Sequence, residues 1–393
     1  MNSQLTSRSA LILIVIAQFL GTSLWFAGNA VAPEISQILG IPGILATITS
    51  VVQLGFILGT LVFAIFSIPD RFSPSDVFFF SSILAACFNL FIVMLPMHLT
   101  TVLVCRFLVG FFLAGIYPVG MKIAADYFQK GLGAALGFLV GALVLGTAFP
   151  HLLKGLDLNF SWKLVLWFTS GLALLGGFIV GFFVPDGPFH KINSRFDLSL
   201  LPNLSKINAL KSAASGYFGH MWELYTFWAF VPMLIVLFRG NEVMDSSDSL
   251  LSFFVIAIGG VSCAVGGIIA DGLGSKKVAQ FALAGSGLCC LLVLFVGGLP
   301  SWIWMGLLLI WGILITADSP QFSTLVAQSV PAEYRGTALT LVNSMGFAIS
   351  ILSIQLAQFL LNWLTIDQVL ALLFFGPVMG LVLFRFYDRR MIV

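Results

Sequence analysis

A carboxylate in the middle of an apolar run is the first feature of this sequence that asks for a chemical reason. Glu223 stands in His220-Met-Trp-Glu-Leu-Tyr225, with apolar sequence on both sides. A charge at a bilayer centre costs about 2.5–3.5 kcal/mol even on the lenient insertion scale, so such residues pair or face water. Burial disfavours an ionised carboxylate, which suits Glu223 to bind a proton, to couple proton movement to a cycle, or to contact a cationic group. A structural ion pair with Arg106 is the plainer alternative. Asp318, in Thr316-Ala-Asp-Ser-Pro320, sits where a proline loosens the helix. It suits proton carriage, cargo binding or the satisfaction of freed backbone groups. Arg106 stays protonated and is a poor proton carrier, so it reads as a clamp for an anionic group or as a counter-charge. His220 reads either as a proton relay or as a hydrogen-bonded packing residue.

Helical arithmetic groups these residues with others, because steps of 7 and 11 return near the same face. Gln18, Trp25 and Asn29 form one polar-aromatic stripe. Arg106 shares a face with Tyr117, and Trp311 shares one with Asp318 and Gln321. Tyr217, His220 and Glu223 follow at steps of three, with Phe227 beyond. Trp25, Trp222, Tyr225 and Trp311 lie among polar residues and together suit a cavity that stacks a flat cargo or encloses a cation. Other residues have plainer readings. Lys122 and Asp126 are spaced for a local pair. Glu34 caps the outer end of the first span, and His151 lies near the outer surface. Trp302 and Trp304 suit an interfacial belt. Gly137, Gly141 and Gly146 suit close helix packing.

The elements that position these groups must be membrane helices. Of 393 residues, 59% are hydrophobic and 9% charged, and mean hydropathy is +1.07. A soluble domain carries about a quarter charged residues. This composition excludes a water-soluble enzyme, a disordered protein and, with net charge +2, a nucleic-acid binder. The odd cysteine count and the lack of metal-ligand spacing mark Cys87, Cys105, Cys263, Cys289 and Cys290 as buried thiols. Twelve runs are long enough to span, at 9–32, 43–68, 75–97, 100–126, 131–153, 162–184, 209–238, 249–270, 278–298, 301–326, 337–362 and 365–386. The first is too long for a signal-peptide core and is expected to be retained. With both termini cytoplasmic, Arg8, Arg71, Lys122, Lys130, Lys191, Arg195, Lys206, Lys211, Lys276, Lys277, Arg335, Arg385, Arg389 and Arg390 fall inside or at the inner end of a helix, and Arg106 lies within helix 4. Only Lys154, Lys163 and Arg239 fall outside.

The longest polar stretch, Pro185 to Lys211, includes His190 and Asp197 and divides the runs six and six. The expected organisation is an N-terminal bundle over 1–185, a cytoplasmic linker over 186–208 and a C-terminal bundle over 209–393. The halves repeat weakly: Asp70 and Asp271, Lys130-Gly131 and Arg335-Gly336, and Pro118 and Pro320 recur at nearly one offset. A duplicated six-helix unit is a transporter plan, with a site near the midplane.

Gly267-Gly-Ile-Ile-Ala-Asp271-Gly-Leu-Gly274-Ser-Lys276-Lys277 resembles the loop motif of the major facilitator superfamily. Its glycine permits close helix approach, and its acid can accept from a helix N-terminus or pair with a base. The first-half copy is degraded: Phe66 replaces the glycine, and Asp70-Arg71-Phe-Ser-Pro lacks the second glycine and basic pair. Arg106-Phe-Leu-Val-Gly110 is similar to the family's arginine motif in helix 4. Pro331-Ala-Glu333-Tyr-Arg335-Gly336 is similar to its inner loop between helices 10 and 11. The antiporter glycine-proline step of helix 5, the nitrate-porter arginines of helices 2 and 8, and the sugar-porter signature are all missing. The resemblance implies an all-α membrane fold of twelve helices in two pseudo-symmetric six-helix bundles. It further implies a central cavity lined mainly by helices 1, 4, 7 and 10, and alternating access. Asp70, Arg71, Gly267, Asp271, Lys276 and Arg335 are then the gating residues.

The expected function is secondary active transport of a small organic solute, with an organic acid or zwitterion favoured by one arginine opposite two acids. Glu223 and Asp318 are the expected proton-coupling residues. Gln18, Trp25, Asn29, Arg106, Tyr117, His220, Tyr225 and Trp311 are the expected substrate contacts. A proton-driven exporter of lipophilic cations is the alternative. An intramembrane enzyme is the distant one, since Ala284-Gly-Ser286-Gly287 has alanine where a nucleophile motif needs glycine. No phosphate loop is present, so neither ATP nor any other cofactor is expected, and no metal site is expected. The expected setting is a monomer in a bacterial inner membrane, with a small-molecule substrate, protons and lipid as partners.

Overall fold

The computed structural model describes residues 6–128, 132–156, 161–189 and 198–390, and every regular element among them is helical. The expectations for Lys130, Gly131, His190, Lys191, Arg195 and Asp197 lie outside these residues. Among the described residues, 11 helices are long and apolar enough to cross a membrane, and a shorter apolar helix precedes them. In chain order they are α1 (Ser7–Thr22), α2 (Ile44–Ile65), α3 (Pro74–Met94), α4 (Leu99–Tyr127), α5 (Leu132–Gly155) and α6 (Trp162–Phe183). There follow α7 (Asn208–Arg239), α8 (Ser246–Leu273), α9 (Ser275–Phe295), α10 (Ser301–Gln328), α11 (Arg335–Leu360) and α12 (Ile366–Arg389). The protein is an integral membrane protein: in hydrocarbon a helix satisfies its own backbone, and these sequences are apolar enough to stay there.

The chain divides into two compact units, Met1–Arg195 and Phe196–Val393. In the first, α2 packs on α4, and α6 packs on α1 and α3. In the second, α7 packs on α11 and α12, and α8 and α9 pack on α10. Glycines set the closest approaches. A Cβ on Gly110 in α4 would overlap the carbonyl oxygen of Val52 in α2. A Cβ on Gly312 in α10 would overlap that of Val255 in α8. The two glycines are 202 positions apart, the same spacing as Pro118 and Pro320. The repeat seen in the sequence is therefore also a repeat of backbone contacts. Gly267 departs from its expected role, because nothing lies within 4 Å of a Cβ built there. The close approach of α8 falls instead at Gly259, against Thr316. Gly274 does serve the loop: with φ at 87° it turns the chain from α8 into α9, where a side chain would be strained.

Several helices break where the sequence reads as continuous. The expected first span, 9–32, ends as helix at Thr22, turns over Ser23–Phe26, and resumes as short pieces Ala27–Ala30 and Ala32–Leu39. The Thr22 and Ser23 hydroxyls donate to the Gln18 and Leu20 carbonyls, at 2.7 Å each, and compete with the helix ladder there. The helix α4 is interrupted over Ala114–Ile116, one residue ahead of Tyr117-Pro118, and α10 at Asp318, ahead of Ser319-Pro320. Each proline lies in the first turn of the resumed helix, where its missing N–H is tolerated. The helix α7 runs unbroken for 32 residues, with Pro232 inside it.

Candidate functional site

Glu223 is fully buried and α7 holds it against α9 and α10. Its Oε1 accepts from Trp311 Nε1 at 2.6 Å and from Cys290 Sγ at 3.3 Å. Its Oε2 accepts from Ser286 Oγ at 2.8 Å. All the donors are neutral, and no cation pairs with it among the described residues. The Trp311 ring also stacks at 4.4 Å, centroid to centroid, on Phe227, one turn further along α7. Apolar burial makes each of these bonds stronger than it would be in water and makes an orphaned partner costly.

One turn back along α7, His220 Nδ1 lies 2.8 Å from Asp318 Oδ1. Both side chains are buried. The separation suits an ion pair, but the ring N–H is not aimed at the oxygen, and neither side chain has an aligned hydrogen bond among the described residues. The pair is thus electrostatic and unsaturated. The order is antiparallel: His220 then Glu223 on α7 meet Asp318 then Trp311 on α10. Asp318 stands at the α10 break, before the N-terminus of Ser319–Gln328, where a negative charge is favoured. Tyr217 and Phe322 flank the His220 ring, at 5.9 and 6.2 Å.

Arg106 has a different kind of site. Its Nη1 donates to the Leu24 carbonyl at 3.1 Å and to Asn89 Oδ1 at 3.5 Å, and its Nη2 donates to the Trp25 carbonyl at 2.5 Å. The guanidinium therefore caps the break in the first span. Asn89 is fixed in turn by donation to Leu166, Thr169 and Ser170 of α6, at 2.9–3.2 Å. No carboxylate pairs with Arg106 among the described residues.

The other expected contacts separate. Trp25 is buried with its ring 4.8 Å from Phe56. Asn29 Nδ2 donates to Thr49 Oγ1 at 2.8 Å, while its Oδ1 has no partner among the described residues. Gln18 is buried beside Gly120, and neither end of its amide has a partner among the described residues. The break at Ser23–Phe26 destroys the helical phase between Gln18 and Trp25, so the seven-residue step does not make them one stripe. The Arg106–Tyr117 step is cut in the same way at Ala114–Ile116. Tyr225 is buried against Trp228 and Phe347, apart from the Glu223 cluster.

Among the expected gating residues, Asp70 pairs with Lys122, which thereby has a partner other than the adjacent Asp126. Lys276 pairs with Asp388 at 2.6 Å, and Asp271 is exposed, as are Arg71 and Arg335. Glu34 pairs with Lys154, which also donates to the Ala30 carbonyl at 3.0 Å. His151 is buried, and Trp304 is buried against Phe238 while Trp302 is exposed. Ser286 and Cys290, which touch Glu223, were not among the expected site residues. Their signal was a polar pair four apart on one face of α9, in the stretch after Gln280.

The sequence profile of the Major Facilitator Superfamily matches residues 13–354. The chain belongs to that superfamily. Its all-helical fold agrees, and membership places it in a family of secondary transporters of small solutes rather than among enzymes. A curated superfamily relative, the "Ascochitine biosynthesis cluster MFS transporter" of Didymella fabae, is 30% identical over 141 residues. The match covers 35% of this chain and 26% of the relative, so the chain spans about a quarter of that protein's length.

Proposed function

We propose that this protein is a proton-coupled secondary transporter of a small organic solute, working by alternating access between its two units in a bacterial inner membrane, with both termini cytoplasmic. The observation that carries the reading is Glu223: a buried carboxylate inside a membrane helix, met by neutral donors and, among the described residues, by no cation. A carboxylate kept for structure alone is better served by a fixed counter-charge. The His220–Asp318 pair, one turn away, supplies a second titratable site in the same unit. The test is Glu223→Gln in reconstituted vesicles under an imposed pH gradient. Loss of uphill accumulation with retained substrate exchange supports proton coupling. Unchanged accumulation overturns it.

An organic acid or zwitterion is the favoured cargo, on the count of one arginine, Arg106, and two acids, Glu223 and Asp318, buried away from the span ends. A lipophilic cation is the second reading, and one observation favours it: the Arg106 guanidinium is committed to the Leu24 and Trp25 carbonyls, whereas the acids lie among Trp311, Phe227 and Tyr217 rings. A thermal-shift screen separates the two. A ligand at 100 times its Kd stabilises by about 2.7 kcal/mol. Hits among acids and zwitterions support the first cargo class, and hits confined to lipophilic cations support the second.

A further inference from the structure

The hydroxyl of Ser286 faces two acceptors with a single proton. It lies 2.8 Å from Glu223 Oε2 and 3.1 Å from the carbonyl oxygen of Leu283, three residues earlier in α9. A serine hydroxyl donates one bond but can accept two. The two protonation states of Glu223 therefore have different, complete bonding schemes on one set of heavy-atom positions. With Glu223 ionised, Ser286 donates to Oε2. With a proton on Oε2, the new O–H donates to Ser286 Oγ, and the serine proton turns to the Leu283 carbonyl. Trp311 and Cys290 donate to Oε1 in both states.

We infer that Ser286 is a positioning residue for proton binding at Glu223, exchanging its single donated bond between Oε2 and the Leu283 carbonyl as Oε2 gains or loses a proton. The inference rests on the proton role proposed above for Glu223. The proton comes from solution, one Ser286-to-Oε2 bond is lost, and two bonds replace it: Oε2–H to Oγ, and Oγ–H to Leu283. No buried polar atom is orphaned in either state, so proton transfer needs no repacking of α7, α9 and α10. The other titratable groups acting on Glu223 are Cys289 and Cys290 of α9 and Asp318 of α10, the last held by His220 of α7. The helices α8, α11 and α12, also packed on α7, place no charged group against Glu223 among the described residues.

Infrared difference spectra of the reconstituted full-length protein between low and high pH test this without a substrate. The carboxylic-acid C=O band of Glu223 is the one that Glu223→Gln removes. In Ser286→Ala that band is expected to move to the higher frequency of an acid whose O–H has no acceptor, and Ser286→Thr is expected to return it. Ser286→Cys, closer in volume and a weaker acceptor, should move it the same way by less, and stands in if the alanine variant does not fold. A band that is present but unmoved in both Ser286→Ala and Ser286→Cys overturns the role of Ser286 alone. If Glu223→Gln removes no band, the proton role of Glu223 fails and takes this inference with it.

Discussion

The two units bury opposite charges in opposite ways. In the first, Arg106 carries a permanent charge and caps two carbonyls where the first span breaks. In the second, Glu223 carries a removable charge in a helix that never breaks. At the 202-residue offset of Pro118 and Pro320, Arg106 corresponds to Leu308 and Glu223 corresponds to Gly21. Each charge thus has an apolar or side-chain-free counterpart in the other unit. The shared scaffold survives, as the seams at Gly110 and Gly312 show. The difference teaches that duplication kept the backbone contacts and let the buried chemistry diverge: an arginine bonded to backbone carbonyls in one unit, a carboxylate bonded to neutral donors in the other.

Removing the fixed charge should do the most damage. Arg106→Ala deletes charge-assisted bonds to the Leu24 and Trp25 carbonyls, each worth about 1.5–3 kcal/mol. A loss of several kcal/mol is expected, read as a collapse of folded yield and a large fall in Tm in detergent. Arg106→Lys should not restore it, because an ammonium lacks the planar fork that reaches two carbonyls. A lysine variant as stable as wild type would break the comparison at its root. Alanine at the seams comes next. Gly110→Ala and Gly312→Ala should each cost about 1–3 kcal/mol by overpacking. Similar falls in Tm would show that the units share one scaffold, and a strong inequality would show that they do not.

Glu223→Gln should move stability by less than about 1 kcal/mol. The amide oxygen still accepts from Trp311 and Cys290, and its NH2 donates to Ser286 as the protonated acid would. Thermal unfolding set beside accumulation assays would reveal the expected split: fold kept, coupling lost. The smallest effect belongs to Lys276→Ala. That pair with Asp388 has the lysine 46% exposed, and exposed pairs contribute about 0–1 kcal/mol. Its Tm should be close to wild type.

Much of this was legible in the sequence. A charged residue in a long apolar run announces itself, so Glu223, Asp318 and Arg106 stood out, as did Trp311, which bonds Glu223. The prolines and motif residues placed the repeat. What could not be read was which groups would meet. Ser286 and Cys290 are ordinary in membrane helices, and only the packing of α9 on α7 brings them to a carboxylate. The break in the first span was hidden because hydropathy is blind to backbone angles, although Thr22-Ser23 and Pro33 were there to signal it. Gly267 shows the opposite error, since a motif position need not be a contact position.

The broken first span has a consequence for how the protein is made. With 16 residues at about 1.5 Å each, α1 is about 24 Å long, short of a hydrocarbon core about 30 Å thick. The carbonyls just beyond it find their arginine more than 80 residues later in the chain. During synthesis the opening segment therefore waits, incompletely bonded, until α4 has emerged from the ribosome and entered the membrane.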